Sequence, residues 1–162
     1  MVVLVALGSN LGDPSARIRE AFDRLESLSA VPILRSSHWS STPVDCPPGS
    51  PMFVNAAARL EARPGDTPAS LLAALQSIER GFGRRPKQVV NEARPLDLDL
   101  IAWGGERVAT AELTVPHPRA HLRRFVLAPL SEIAPDFVLP GQGATIRELA
   151  AGLESGGEVR RL

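Results

Sequence analysis

The sequence predicts an α+β fold, a mainly antiparallel sheet with helices packed on its faces. Three observations carry this. Strand-like runs and helical repeats of apolar residues alternate in mixed order along the chain; Gly104-Gly105 offers a hairpin turn between two extended pieces; and no internal repeat or low-complexity tract interrupts them. At 162 residues the chain is expected to form a single domain, 1–162, with a core of its own.

The elements follow in order. Val2 to Leu7 is β-rich and reads as a central strand running into the loop "GSNLGD". That loop has the glycines of a phosphate-binding turn, but no Gly-Lys-Ser/Thr follows, so its first reading is a turn into a helix with Asp13 as N-cap and Pro14 at the first position. Ile18, Ala21, Phe22, Leu25 and Leu28 then recur at helical spacing. A second strand is expected over 34–41, ending in the loop "STPVDCPPGSP", whose prolines sustain neither helix nor ladder. "MFVNAAARLEA" reads as a strand with Phe53, Asn55, Ala57 and Arg59 on one face. Asp66 or Thr67 with Pro68 opens a second helix, with Leu71, Leu72, Leu75 and Ile78 inward, Gln76, Glu79 and Arg80 on its polar face, and Gly81 and Gly83 at its end. After the basic stretch "GRRPKQVVNEAR" comes a strand containing Asp97 and Asp99, then Gly104-Gly105 turning into a short strand around Val108. A helix is expected near 124–133, and Thr145 with Glu148 three residues on signals a capped final helix.

Composition narrows the function. Eighteen basic residues balance eighteen acidic ones, so no global field draws the chain to nucleic acid or an anionic membrane. Exposed aromatics for base stacking are scarce, with no tyrosine and two tryptophans. The run "MVVLVAL" is too short to span a bilayer and has no basic flank or cleavage site, and the lone Cys46 suits a reducing compartment, so a cytoplasmic location is expected. His117 and His121 are four apart, but Pro118 and the missing glutamate motif argue against a zinc helix. No G-x-S-x-G nucleophile elbow occurs.

The informative segment is "RPLDLDLIAWGG". Asp97 and Asp99 project to one side of the strand, about 6.6 Å apart along the backbone, while Leu96, Leu98 and Leu100 project to the other. Aspartate is a poor strand former, so a pair needs a reason. Magnesium takes oxygen ligands and shares its coordination with phosphates, which makes two such carboxylates candidate ligands; an exposed charged face is the plainer alternative. Around them in sequence stand Arg80, Arg84, Arg85, Lys87 and Arg94 on one side, and His117, Arg119, His121, Arg123 and Arg124 on the other. Carboxylates for metal beside cations for phosphate describe phosphoryl transfer, where positioning and charge neutralisation do most of the catalysis.

With these residues in view, the chain resembles the 6-hydroxymethyl-7,8-dihydropterin pyrophosphokinases of folate synthesis over essentially its whole length. The resemblance rests on "ALGSNLGD", "STP", "FVNAA", "RPLDLDLIAWG" and "LTVPHPR…RRFVLAPLSEIAP" in that order. It implies a ferredoxin-like α/β sandwich, transfer of pyrophosphate from ATP to the pterin hydroxymethyl oxygen with release of AMP, and two Mg2+ ions on Asp97 and Asp99. It implies a pterin site at Thr42, Pro43, Phe53, Asn55, Asp97 and Phe125. A nucleotide site is implied at Gln76, Glu79, Arg84, Arg94, Leu100, Thr114, His117 and Arg123, with Arg84 and Arg94 also catalytic. The chain departs from the common family pattern at Asn91-Glu92-Ala93, Pro86, Pro118 and Phe53. No heptad or long apolar edge calls for a partner, so a monomer is expected. Two other classes use related features: a magnesium-dependent nucleotidyltransferase, whose Gly-Ser turn and D-x-D should lie close in sequence, and a binding module that has lost the chemistry.

Overall fold

The computed structural model describes residues 1–42, 49, 51–83, 95–153 and 158–162. Four antiparallel strands form the centre: β1 (Val2–Ser9), β3 (Trp39–Ser41), β4 (Phe53–Glu61) and β5 (Asp97–Trp103). They are ordered β5-β1-β4-β3, with β2 (Leu34–Arg35) also pairing β4 and β8 (Val159–Arg161) closing the far edge beyond β3. With α1 (Pro14–Glu26) after β1 and α2 (Pro68–Gly81) after β4, this is the split β-α-β of a ferredoxin-like sandwich. Among the described residues no helix is long and apolar enough to cross a membrane.

The helix starts follow local chemistry. Asp13 accepts the Ala16 N–H ahead of Pro14, Thr67 and Ser70 form a reciprocal cap ahead of Pro68, and Thr145 with Glu148 does the same for α4 (Ile146–Gly152). The two faces of the sheet carry separate cores. Val3, Val5 and Leu7, Ala56, Ala58 and Leu60, and Leu96, Leu98 and Leu100 meet α1 and α2 through Ile18, Phe22, Leu25, Leu71 and Leu75. On the opposite face Leu4, Ala6, Ala57, Ile101 and Ala102 meet α3 (Arg124–Ile133) and α4 through Val126, Leu127, Leu130 and Ile146.

Three sequence expectations are corrected. The strand expected over 34–41 is broken into β2 and β3: the Ser36 N–H still donates to the Ala57 carbonyl at 2.9 Å, but the Ala57 N–H donates to the Ser36 hydroxyl at 2.7 Å and not to a backbone carbonyl, which interrupts the ladder between them. Gly104-Gly105 does turn the chain, but β6 (Val108–Ala109) pairs with β7 (Thr114–Val115) and not back onto β5. Glu79 does not lie on a solvated helix face: it is buried, and its carboxylate accepts the Leu98 N–H at 2.8 Å. Among the described residues no strand pairs with β5 on the side that N–H faces, so a helix side chain takes the place of a neighbouring strand.

Candidate active site

Cross-strand register builds the site. Gly8 of β1 lies opposite Asp97 on one side and Asn55 on the other, and Asn55 in turn lies opposite Trp39. One step along, Ala6 lies between Asp99 and Ala57. Strand-centre side chains on this face therefore taper from Leu4 through Ala6 to Gly8, and the surface opens where the carboxylates sit. Asp97 and Asp99 are half-buried there, while Leu96, Leu98 and Leu100 are buried on the far side. The alternation read from the sequence is thus observed, and it places Leu100 with its side chain in the α1/α2 core, turned away from the carboxylate face.

A β-bulge keeps this arrangement compatible with the rest of β5. The register with β1 shifts between Leu4 and Val5, so β5 carries one extra residue there. As a result Ile101 and Ala102 both join the α3/α4 core and Trp103 returns to the α1/α2 core.

The backbone around the aspartates is held from two directions. Ser9, fully buried, donates its hydroxyl to the Pro95 carbonyl at 2.6 Å, and Glu79 takes the Leu98 N–H. The segment after β7 is anchored to the bulge: the His117 N–H donates to the Ile101 carbonyl at 2.9 Å. This brings His117 into the electrostatic reach of Asp97 and Arg123. Burial first, then the guanidinium groups of Arg123 and Arg119, push the His117 pKa below its ordinary value, against the opposing pull of Asp97. The imidazole is therefore neutral at pH 7. Its Nδ1 accepts the Arg119 N–H at 3.2 Å, which assigns the proton to Nε2 and leaves that nitrogen as a donor. Arg123 extends over the Phe125 ring, 5.6 Å from guanidinium carbon to centroid.

Asn55 is buried on the same face, and its amide Nδ2 donates to the Ser41 hydroxyl at 2.7 Å. Phe53 and Phe125 are half-buried. Thr42 is tied to the last strand through its N–H to the Glu158 carbonyl and its hydroxyl to the Glu158 N–H. Gln76 and Thr114 are exposed, Gln76 on α2 and Thr114 on β7. Pro43, Arg84 and Arg94 lie outside the described residues, as do Cys46 and most of the basic stretch 83–94. Sequence reasoning missed Ser9, Ser41, Trp39 and Glu132. Glu132 of α3 accepts from the Ser37 N–H (3.1 Å), the Ser37 hydroxyl (2.8 Å) and Trp39 Nε1 (2.7 Å), fastening α3 across β3. All four belong to contacts distant in sequence, and no local pattern signals them.

Among the described residues no three His, Cys, Asp or Glu side chains cluster as a complete metal cage. Two carboxylates on alternate strand positions fit magnesium all the same, because that ion is commonly held by one or two carboxylates and completes its shell with water and substrate phosphate.

An antiparallel α+β sandwich with paired carboxylates, a neutral imidazole donor and guanidinium groups at one end of its sheet defines an enzyme of the phosphoryl-transfer class. The model of the 7,8-dihydro-6-hydroxymethylpterin-pyrophosphokinase family matches residues 4–135, and the chain belongs to that family. It is 37% identical to the 2-amino-4-hydroxy-6-hydroxymethyldihydropteridine pyrophosphokinase of Synechocystis sp., over 96% of this chain and 84% of that one. The enzymes of the same name from Haemophilus influenzae and Pseudomonas aeruginosa are 40% and 39% identical, covering 84% and 92% of this chain and 83% and 90% of theirs. Among solved structures, an HPPK-DHPS in complex with substrates superposes with a TM-score of 0.73 at 12% identity, covering 93% of this chain. The Plasmodium falciparum HPPK-DHPS with pteroate gives 0.71 at 14%, also over 93%. This chain spans 42% of each of those solved chains, so they bear on the fold alone.

Proposed function

We propose that this protein transfers the terminal diphosphoryl group of ATP to the hydroxymethyl oxygen of 6-hydroxymethyl-7,8-dihydropterin. The hydroxymethyl oxygen forms a bond to the β-phosphorus, the bond from that phosphorus to the α-phosphate oxygen breaks, AMP departs and the hydroxyl proton is released. The observation that carries this reading is the row Asp97, Gly8, Asn55 across three strands of a chain of this family. It sets a heterocycle-reading amide two strands from a carboxylate, with only a glycine between.

In this reading Asn55 and Thr42 bond the pterin edge, Phe53 and Phe125 stack on its faces, and Pro43 completes the pocket. His117 donates from Nε2 to phosphate oxygen, and Arg123 supplies charge-assisted bonds beside it. Gln76 and Thr114 flank the nucleotide, Glu79 holds the strand beneath it, and Leu100 supports it from the core. Arg84 and Arg94 are assigned to the transferring phosphates. Asp97 and Asp99 would hold two Mg2+ ions, whose chemistry when bound is to neutralise the triphosphate and polarise the attacking hydroxyl. We also expect a cytoplasmic monomer formed of one domain; a mass independent of concentration in solution would support the monomer and a stable dimer would refute it.

The test is product analysis with ATP, magnesium and 6-hydroxymethyl-7,8-dihydropterin. AMP and pterin diphosphate should appear in equal amounts and only with magnesium. Release of inorganic pyrophosphate would indicate nucleotidyl transfer instead, and pterin binding without either product would indicate a binding module.

A further inference from the structure

We propose that Glu158 and the strand it leads into, β8, position the pterin: their backbone holds Thr42, the residue at which β3 runs on into the pterin pocket, and leaves the nucleotide side alone. This deepens the proposed function and rests on it.

β3 is three residues long, too short to fix the chain beyond it by its own ladder. On one side it pairs with β4, and that ladder stops where Ser41 meets Phe53. On the other side it pairs with β8, Trp39 opposite Arg161 and Ser41 opposite Val159. Here the bonding runs past both ends of β3. The Leu162 N–H donates to the His38 carbonyl at 2.8 Å, and the Thr42 N–H donates to the Glu158 carbonyl at 3.2 Å. The Glu158 N–H returns a bond to the Thr42 hydroxyl oxygen at 3.3 Å. A backbone N–H can only donate, so the sense of each bond is settled. Thr42 is thereby gripped twice by one residue, through its main chain and through its side chain. The second bond selects one χ1 well of a β-branched side chain that has few to choose from, and so sets where its hydroxyl stands.

The place of β8 in the sheet predicts what it does not affect. In the order β5-β1-β4-β3-β8 three strands stand between β8 and β5, about 19 Å from one to the other at the usual spacing. Asp97 and Asp99 lie on β5, and the His117 N–H is bonded to the Ile101 carbonyl of the same strand. Loss of the β8 grip therefore reaches Thr42 directly, and the metal and phosphate side only across the width of the sheet. The Glu158 carboxylate is exposed and pairs with Arg160, so the role belongs to the backbone of Glu158 and not to its charge. In this role Glu158 is a positioning residue acting through Thr42.

The experiment measures KM for 6-hydroxymethyl-7,8-dihydropterin, KM for ATP and kcat in wild type, in Glu158→Pro and in Glu158→Ala. Proline removes the N–H donated to Thr42 at a position, just ahead of a strand, where it is tolerated; alanine keeps that N–H and removes only the carboxylate. The pterin KM should rise about fivefold in Glu158→Pro, the size of one lost hydrogen bond, with ATP KM and kcat unchanged, and Glu158→Ala should match wild type throughout. Deletion of residues 158–162 removes both bonds and should raise the pterin KM further, about twentyfold, again without moving ATP KM. A merely structural role would lower the thermal midpoint and either leave both KM values alone or raise them together, and either result overturns the inference. An equal rise of pterin KM in the alanine and proline variants would assign the effect to the carboxylate and overturn it as well. Should the deletion fail to fold, the proline and alanine pair decides. If the wild type does not turn over the pterin with ATP, the pterin reading fails and the inference falls with it; if it does and the variants keep the wild-type pterin KM, that reading stands and only the role of β8 is lost.

Discussion

The two faces of the sheet use the same three strands for opposite ends. Towards α1 and α2, each strand contributes a run of apolar side chains, broken in β1 only at its last residue, the buried Ser9. Towards α3 and α4, the apolar set covers one end only; at the other, β1 tapers to Gly8, β4 turns from Ala57 to Asn55, and β5 from Ile101 to Asp99 and Asp97. Apolar packing therefore fills one face and part of the other, and the candidate site takes the remaining part. Alternation of side chains lets a single strand serve both, so removing a carboxylate and removing a leucine from β5 should have separable consequences.

The sharpest way to break this comparison is to exchange the effects. Asp97→Ala and Asp99→Ala should each lower turnover on the order of a thousandfold or more, with the thermal midpoint within a few degrees of wild type. Near-normal turnover at ordinary magnesium would remove the metal assignment. On the dry face, Leu75→Ala, a fully buried position, should cost about 2–5 kcal/mol in a denaturant titration and leave kcat per folded molecule nearly intact; a large loss of kcat would show that the faces are not separable. Gly8→Ala probes the seam. Its new Cβ would make an ordinary 3.6 Å contact with Asn55 Oδ1, so the fold should hold while pterin KM rises about tenfold, on the scale of one lost hydrogen bond; unchanged KM would mean the ligand does not use that gap.

The smallest effect is a pH dependence. The folded-state pKa of His117 is lowered, chiefly by burial and then by Arg123 and Arg119. The unfolded chain therefore binds more protons than the folded one between that lowered value and about 6.5. The resulting stability is complete above about pH 6.5 and is lost as pH falls below it towards the folded value. Stability measured from pH 8 to 5 should show this decline, and His117→Gln should flatten it; an equal slope in both would assign the dependence to other groups. Addition of ATP should raise the His117 pKa, observable by NMR titration of the ring.

Much of this division was legible in the sequence, and the reason is periodicity. Period-two alternation in "LDLDL" separated wet from dry in β5, and the spacing of Ile18, Phe22 and Leu25 placed α1. Caps at Asp13 and Thr145, and Thr67 as one of two candidates beside Asp66, were readable because their partners lie three residues away. Illegible were features that depend on distant partners. Glu79 reads as a solvated helix residue until the edge of β5, nineteen residues on, supplies an unpaired N–H. Ser9 reads as part of a turn into a helix, yet its hydroxyl closes on a carbonyl 86 residues away. The bond between Asn55 and the Ser41 hydroxyl was not legible either, because serine in a strand carries no local signature.

The bulge in β5 has a consequence for how such a site can change. The aspartates and Trp103 belong to opposite faces, separated by a stretch in which one surplus residue resets the count from odd to even. Removing that residue together with the bulge would restore strict alternation and leave the aspartates, the leucines and the indole each on its present face. A residue inserted or deleted elsewhere in β5, with no compensating bulge, would turn one half of the strand inside out. The bulge is thus the place in β5 where a change of strand length can be absorbed without exchanging the two faces.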